Sequence, residues 1–298
     1  MTDVLRLAEW AHPVTPVRRE VLTATPEVDE GRPPVLFVPG FGHGAWAYAE
    51  HWLEHAASRG FPSYAMSMRG HGASEGGPLA VPSGAAGPSG ATVPGGSKGA
   101  SGAAKKGAPV SAVAKKAGLR AYAHDVVQVA ASLPRRTVLI GHGAGALVVS
   151  HALARYPARA AVLVAPVLGG VGAALRNPGL VLPALFGGGL RLPAGQLFSR
   201  ELPAATAKAY ARRMGRASTR AQWQLLRGRT PAKPVGDPPV LVVGSPDDRI
   251  VSPAALKDAA RAYGGAPLLF PGMGHDMMLD ARWREPIDAI LDWLEKSH

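Results

Sequence analysis

Short apolar runs and longer amphipathic stretches alternate along most of this chain. The runs "VLFVPG" (35–40), "YAMSM" (64–68), "TVLIG" (137–141), "AAVLVAP" (160–166), "PVLVVG" (239–244) and "PLLF" (267–270) are short and largely aliphatic or β-branched, which predicts buried strands. Between them, residues 46–59, 120–133, 144–156, 253–263 and 283–296 repeat their apolar positions at helical spacing. Strand–helix alternation of this kind predicts an α/β domain with a mostly parallel sheet covered by helices on both faces. Functional residues are then expected just beyond the carboxyl ends of the strands.

Two segments break the alternation. Residues 76–118 are almost entirely Gly, Ala, Ser, Pro and Lys, without one acid. Such a composition buries too little apolar surface to offset ordering, so the segment is expected to be a flexible surface insertion, with a basic flap over the site as the second possibility. Residues 169–234 leave the strand pattern and carry helical stretches around 173–187 and 203–227, which suggests a helical cap over a core built from 1–168 and 235–298. Phe186, Phe198, Tyr210 and Trp223 of this excursion, with His43, Trp46, His142 and Met273 from the core, are the candidate pocket residues.

Composition narrows the function classes. The 298 residues are 47% hydrophobic and 18% charged, as in ordinary globular proteins, and they include no cysteine. Disulfides, thiolate nucleophiles and cysteine metal sites are therefore excluded. The most apolar tract, within 165–192, is interrupted by Arg176, Asn177 and two prolines, and reads as no membrane span. The first residues show no secretory pattern, so a cytoplasmic protein is expected. A net charge of +12 raises nucleic acid as a partner, but five of the lysines lie in the 76–118 tract and no aromatic platform accompanies the arginines. The ten histidines show no ligand-like pairing with carboxylates, so neither metal nor cofactor is expected.

Five motifs carry the resemblance and the candidate chemistry. "VPGFGHGAWAY" (38–48) follows the first strand run, and "MRGHGAS" (68–74) follows the second. "LIGHGAGALVVSHAL" (139–153) is a strand, a glycine corner and a helix, with Gly141-His142-Gly143-Ala144-Gly145 at the corner. "GSPDDRIVSP" (244–253) and "GMGHDMMLD" (272–280) close the series as an acid loop and a histidine loop. Taken in this order, the motifs resemble the α/β-hydrolase superfamily, with the first similar to the H-G-x-x-H-G-A-W loop of esterases and hydroxynitrile lyases. Pro39 stands where that loop has its leading histidine. The resemblance covers nearly the whole chain apart from 76–118. It implies an α/β-hydrolase fold, with Asp248 as the catalytic acid ahead of its neighbour Asp247, and His275 as the catalytic histidine. It also implies Phe41 and Ala144 as backbone N–H donors to an oxyanion. His71 is expected to be a packed loop residue, and His142 a buried spacer.

One position departs from the family. A G-x-S-x-G corner holds a nucleophilic serine at its centre, and here the centre is Gly143. Losing the nucleophile of a serine enzyme costs about 10⁶ in rate. Ser150 lies too far along the helix to replace it. An oriented histidine base and two N–H donors still suit proton abstraction from a carbon or phenol acid. The first expectation is therefore a cofactor-independent, non-hydrolytic enzyme performing cyclisation, C–C bond formation or elimination on a hydrophobic, polyketide-like molecule. A hydrolase working through histidine-activated water, or one disarmed by a Ser→Gly replacement, is the second. A ligand-binding protein without catalysis is the third.

Overall fold

The computed structural model describes residues 14–77, 117–168, 192–216, 218–227 and 232–296. The helical stretch expected at 173–187, Phe186 and nearly all of the 76–118 insertion lie outside the described residues.

Every apolar run named above supplies a strand, and the strands form one sheet. In chain order they are β1 (Val21–Ala24), β2 (Val35–Val38), β3 (Ser63–Met66), β4 (Val138–His142), β5 (Ala160–Val164), β6 (Val240–Gly244) and β7 (Leu268–Leu269). Their spatial order is β1-β3-β2-β4-β5-β6-β7. β2, β4 and β5 are buried at every position, because helices cover both faces of a parallel sheet and leave no polar side. β1 was not anticipated. It pairs antiparallel with β3 at the sheet edge and is only half-buried, so its four residues carry no sustained apolar signal.

The helices are α1 (Trp46–Ala49), α2 (Trp52–Ser58), α3 (Leu119–Ser132), α4 (Ala144–Leu153), α5 (Ala194–Leu197), α6 (Ala204–Arg213), α7 (Thr219–Arg227), α8 (Pro253–Arg261) and α9 (Arg284–Lys296). The single helix expected over 46–59 is two. His51, at φ −145° and ψ −58°, interrupts it, and the turn lets buried Trp52 donate its indole N–H to the Trp283 carbonyl at 3.0 Å. The stretch expected over 203–227 is likewise split. Its break is held by other parts of the chain: the Gly215 N–H donates to the Gly42 carbonyl at 2.7 Å, and the Ser218 hydroxyl to the Ala117 carbonyl at 2.6 Å. Those bonds fasten the excursion to the loop after β2 and to the start of α3.

Beneath the sheet edge lies an ion cluster that hydropathy does not reveal. Asp125 of α3 is fully buried and accepts from Arg69 Nε and Nη2, each at 2.7 Å, and from Arg19 Nη1 at 2.9 Å. A bidentate guanidinium matches a carboxylate in both geometry and charge. It pins the "MRGHGAS" loop to α3. Removing one partner strands buried charge, so Asp125→Ala is expected to lower stability by about 3–5 kcal/mol. Urea unfolding would read this as a lower midpoint at unchanged slope, and a loss below about 1 kcal/mol would contradict the pairing.

Candidate active site

At the end of β4 the chain turns sharply into α4. Gly143 sits at that turn with φ 54° and ψ −121°, a left-handed conformation that glycine adopts without steric cost. Its N–H donates to the Val164 carbonyl at 2.9 Å, and its own carbonyl accepts from Val167 at 3.0 Å. The flanking glycines are required by close approach. A Cβ on Gly145 would lie 2.4 Å from the Pro39 carbonyl oxygen, and one on Gly141 2.7 Å from that of Gly145.

Facing the turn is His275. A Cβ built on Gly143 would lie 3.1 Å from its Nε2. The opposite nitrogen, Nδ1, meets Asp248 Oδ2 at 2.8 Å. Asp248 comes from the loop after β6, and its other oxygen accepts the N–H groups of Ile250 at 2.7 Å and Val251 at 3.1 Å. Neighbouring Asp247 turns away and accepts from the Gly272 N–H at 2.7 Å. Burial disfavours the charged imidazolium of His275. The Asp248 charge and hydrogen bond, joined by the Asp276 charge, outweigh that effect and hold the pKa above the ordinary histidine value.

His275 itself is clamped from the far side. The Asp280 carboxylate accepts the Ser199 hydroxyl at 2.6 Å and N–H at 3.0 Å, the Gly274 N–H at 2.6 Å and the Ala281 N–H at 2.8 Å. Gly274 allows the Leu197–Phe198 backbone to press against the loop, since a Cβ there would lie 2.5 Å from the Leu197 oxygen.

Phe41 and Ala144 border the same space as Gly143 and His275. Among the described residues neither of their N–H groups meets an acceptor. A cavity of about 40 Å³ lies here, and its walls also include His43 and His142. The remaining walls are Val167, Leu192, Leu197, Met214, Leu225 and Ile250. Of the pocket candidates, His43 and His142 therefore line this cavity, whereas Trp46, Phe198, Tyr210, Trp223 and Met273 do not, and the described part of the cap contributes Leu and Met. Trp46 lies under the Arg213 guanidinium at 4.2 Å and beside Tyr210. Tyr210 packs between Trp46 and Phe198. Phe198 and Met273 border a separate surface depression with Arg200 and Arg249. Trp223, on the outer face of α7, is 38% exposed. Among its described residues, the excursion thus packs Phe198 and Tyr210 against neighbouring rings, leaves Trp223 partly in solvent, and turns Leu and Met toward the cavity.

Two more histidines sit behind His275. Burial, reinforced by the His275 charge, pushes the His142 pKa down to about 3, and its Nε2 donates to the His275 carbonyl at 3.1 Å. His43 Nε2 bonds Asp276 Oδ2 at 2.9 Å. Among the described residues, His43, His142 and Asp276 are the trio whose side-chain nitrogens and oxygens converge, within 4.8 Å of one another. One hydrogen bond joins the group, that between His43 and Asp276. His71, in the earlier loop, is buried with its pKa pushed down to about 4 by burial. Asp276 and Asp280 drew no attention in the sequence. The available signal was two acids inside an otherwise apolar "DMMLD" run.

The alpha/beta hydrolase family pattern matches residues 35–291. The chain belongs to that family. No curated protein sequence matches this alpha/beta hydrolase, but solved structures do. One is a Mycobacterium tuberculosis protein assigned as a non-heme bromoperoxidase (18% identity, TM-score 0.66, covering 96% of this chain and 98% of that one). Another is a monoacylglycerol lipase from Paleococcus ferrophilus (18%, TM-score 0.62, 95% and 100%). A third is a thermophilic esterase from Thermogutta terrifontis (17%, TM-score 0.62, 95% and 94%). At such identities the likeness is one of fold. No helix among the described residues is long and apolar enough to cross a membrane.

The elbow geometry yields a direct test. Gly143→Ser would set a hydroxyl beside His275 Nε2, so the folded variant is expected to react with a fluorophosphonate probe, whereas the native protein and Gly143→Ser/His275→Ala are not. Absence of labelling in folded Gly143→Ser would contradict the orientation of His275.

Proposed function

We propose that this alpha/beta hydrolase is a cofactor-independent enzyme in which His275 removes a proton from a hydrophobic small-molecule substrate. The observation that carries this reading is the free His275 Nε2, oriented by Asp248 from behind and directed at a glycine with no side chain to attack the substrate. The proton of a carbon or phenol acid passes to Nε2. The electron pair it leaves becomes an enolate or phenolate, whose oxygen the Phe41 and Ala144 N–H groups hold. That anion then adds to an electrophilic carbon, closes a ring or expels a leaving group, and the imidazolium returns the proton. No acyl-enzyme is needed. The largely apolar walls favour an apolar group at the reacting end of the substrate.

Water activation by the same base is the second reading. It is favoured by the lipase and esterase among the similar structures and by the space that a serine side chain would otherwise fill.

Both readings require His275. Deletion of the gene, followed by complementation with wild type or His275→Ala, is expected to leave an intermediate that only wild type clears. Removing a general base costs about 10²–10⁴ in rate. The mass difference between intermediate and product separates the readings, since hydrolysis adds the elements of water and cyclisation or elimination does not. Equal rescue by His275→Ala would overturn catalysis and favour a ligand-binding protein.

The pH dependence has a definite sign. The base acts when neutral, so turnover should rise with pH along a limb lying above the ordinary histidine value of 6.5. Asp248→Asn removes a charge that raises this pKa, and the limb should move to lower pH with a lower ceiling. A limb unmoved in Asp248→Asn would contradict the pairing.

A further inference from the structure

Among the described residues, Asp276 is a buried carboxylate next to His275 in the chain that the proposed reaction does not use. It is wholly buried, and burying a carboxylate is costly unless charge or hydrogen bonds compensate it. Its compensation comes from imidazoles. His43 Nε2 meets Oδ2 at 2.9 Å, and His142 Nε2 stands 3.5 Å from Oδ1. The backbone of Asp276 is held as well, its N–H donating to the Leu197 carbonyl at 2.9 Å.

This arrangement adjoins the reacting imidazole on two sides. His142 donates its Nε2 proton to the His275 carbonyl and stands 3.5 Å from Asp276 Oδ1, and its ring lies 4.8 Å from that of His275. Asp276 is also the next residue along the chain. The His275 loop is therefore bonded to the end of β4 through His142, to the loop after β2 through Asp276 and His43, and to the α5 segment through Leu197.

We infer that Asp276 is a positioning residue for His275: its buried carboxylate, held between His43 and His142, fixes the histidine loop and places a second negative charge beside the catalytic imidazole. This inference rests on the reading of His275 as the base. Asp248 orients the ring through a direct bond. Asp276 has no such bond and acts through space, from a position that its bond to His43 and its place next to His275 in the chain hold. Two carboxylates on different sides of one imidazole favour its charged form more than one does. The charged and titratable groups facing His275 among the described residues are Asp248 from the loop after β6, His142 from β4, His43 from the loop after β2, and Asp276. His142 is held neutral by burial, so it does not cancel the Asp276 charge. Asp276 in turn keeps its pKa below the usual carboxylate value: burial opposes ionisation, and the charge and hydrogen bond of His43, followed by His142 and His275, prevail.

Histidine titration by ¹⁵N NMR on the full chain tests this without a substrate. Asp276→Asn keeps the shape and an acceptor for His43 while removing the charge. His275 should then titrate at lower pH than in the native protein, a change that a purely structural contact would not produce. An unchanged His275 titration in folded Asp276→Asn overturns the inference. Should that variant fail to fold, ¹³C carboxyl titration of the native protein decides instead. A carboxylate ionised at neutral pH and protonating below 3.8 supports the inference, and a neutral Asp276 at pH 7 overturns it. Failure of the base reading has a separate signature, full rescue by His275→Ala in the complementation experiment, which leaves the titration unaffected.

Discussion

A buried imidazole has two nitrogens, and the one that carries the proton in its neutral form determines what chemistry is open to it. In this alpha/beta hydrolase the 2.8 Å contact between Asp248 and Nδ1 of His275 makes that choice. With Nδ1–H donating to the carboxylate, Nε2 is left as a lone pair at the surface of the cavity. Asp248 is itself fixed by two backbone N–H groups, so ring orientation and proton placement are set before any substrate arrives. The rest of the site is arranged around that lone pair. The elbow brings a residue without a side chain opposite it, and the loop after β2 borders the space from the other side.

The parallel sheet makes this arrangement possible. β2, β4 and β6 run side by side or nearly so in the same direction, and the loop of Phe41, the elbow and the loop of Asp248 all leave their carboxyl ends. Glycines at 141 and 145 permit the tight packing of the turn against its neighbours, and Gly274 permits the chain at Leu197 to touch the histidine loop. The excursion after β5 then closes the space with aliphatic side chains. The proposed proton abstraction draws on fixed N–H dipoles, which act more strongly in a low-dielectric site than in solvent.

Much of this was legible in the sequence, for identifiable reasons. All six apolar runs became strands; the central ones, β2, β4 and β5, are buried on both faces and so need continuous apolar sequence, whereas β7 at the sheet edge is exposed. Motif order singled out Gly143, Asp248 and His275, and the structure brings the three together. β1 was missed because a half-exposed edge strand of four residues has no pattern to detect. The breaks at His51 and at 214–218 were missed because they answer to tertiary partners, Trp283 in one case and Gly42 and Ala117 in the other. The same cause explains the pocket. Trp46, Tyr210 and Trp223 looked like a substrate lining, yet their rings pack on Arg213 and on one another or face solvent. Leu192, Leu197, Met214 and Leu225, unremarkable in sequence, form the wall. Asp276 and Asp280 acquire meaning only once the histidine loop is folded against its neighbours.

The protonation of His275 bears most directly on a base without a nucleophile. ¹⁵N-labelled histidine, assigned by comparison with His275→Ala, would report both ring nitrogens across pH. The structure predicts that neutral His275 carries its proton on Nδ1 and leaves Nε2 bare, with protonation occurring above pH 6.5. A neutral form protonated on Nε2, or a titration below that value, would contradict it.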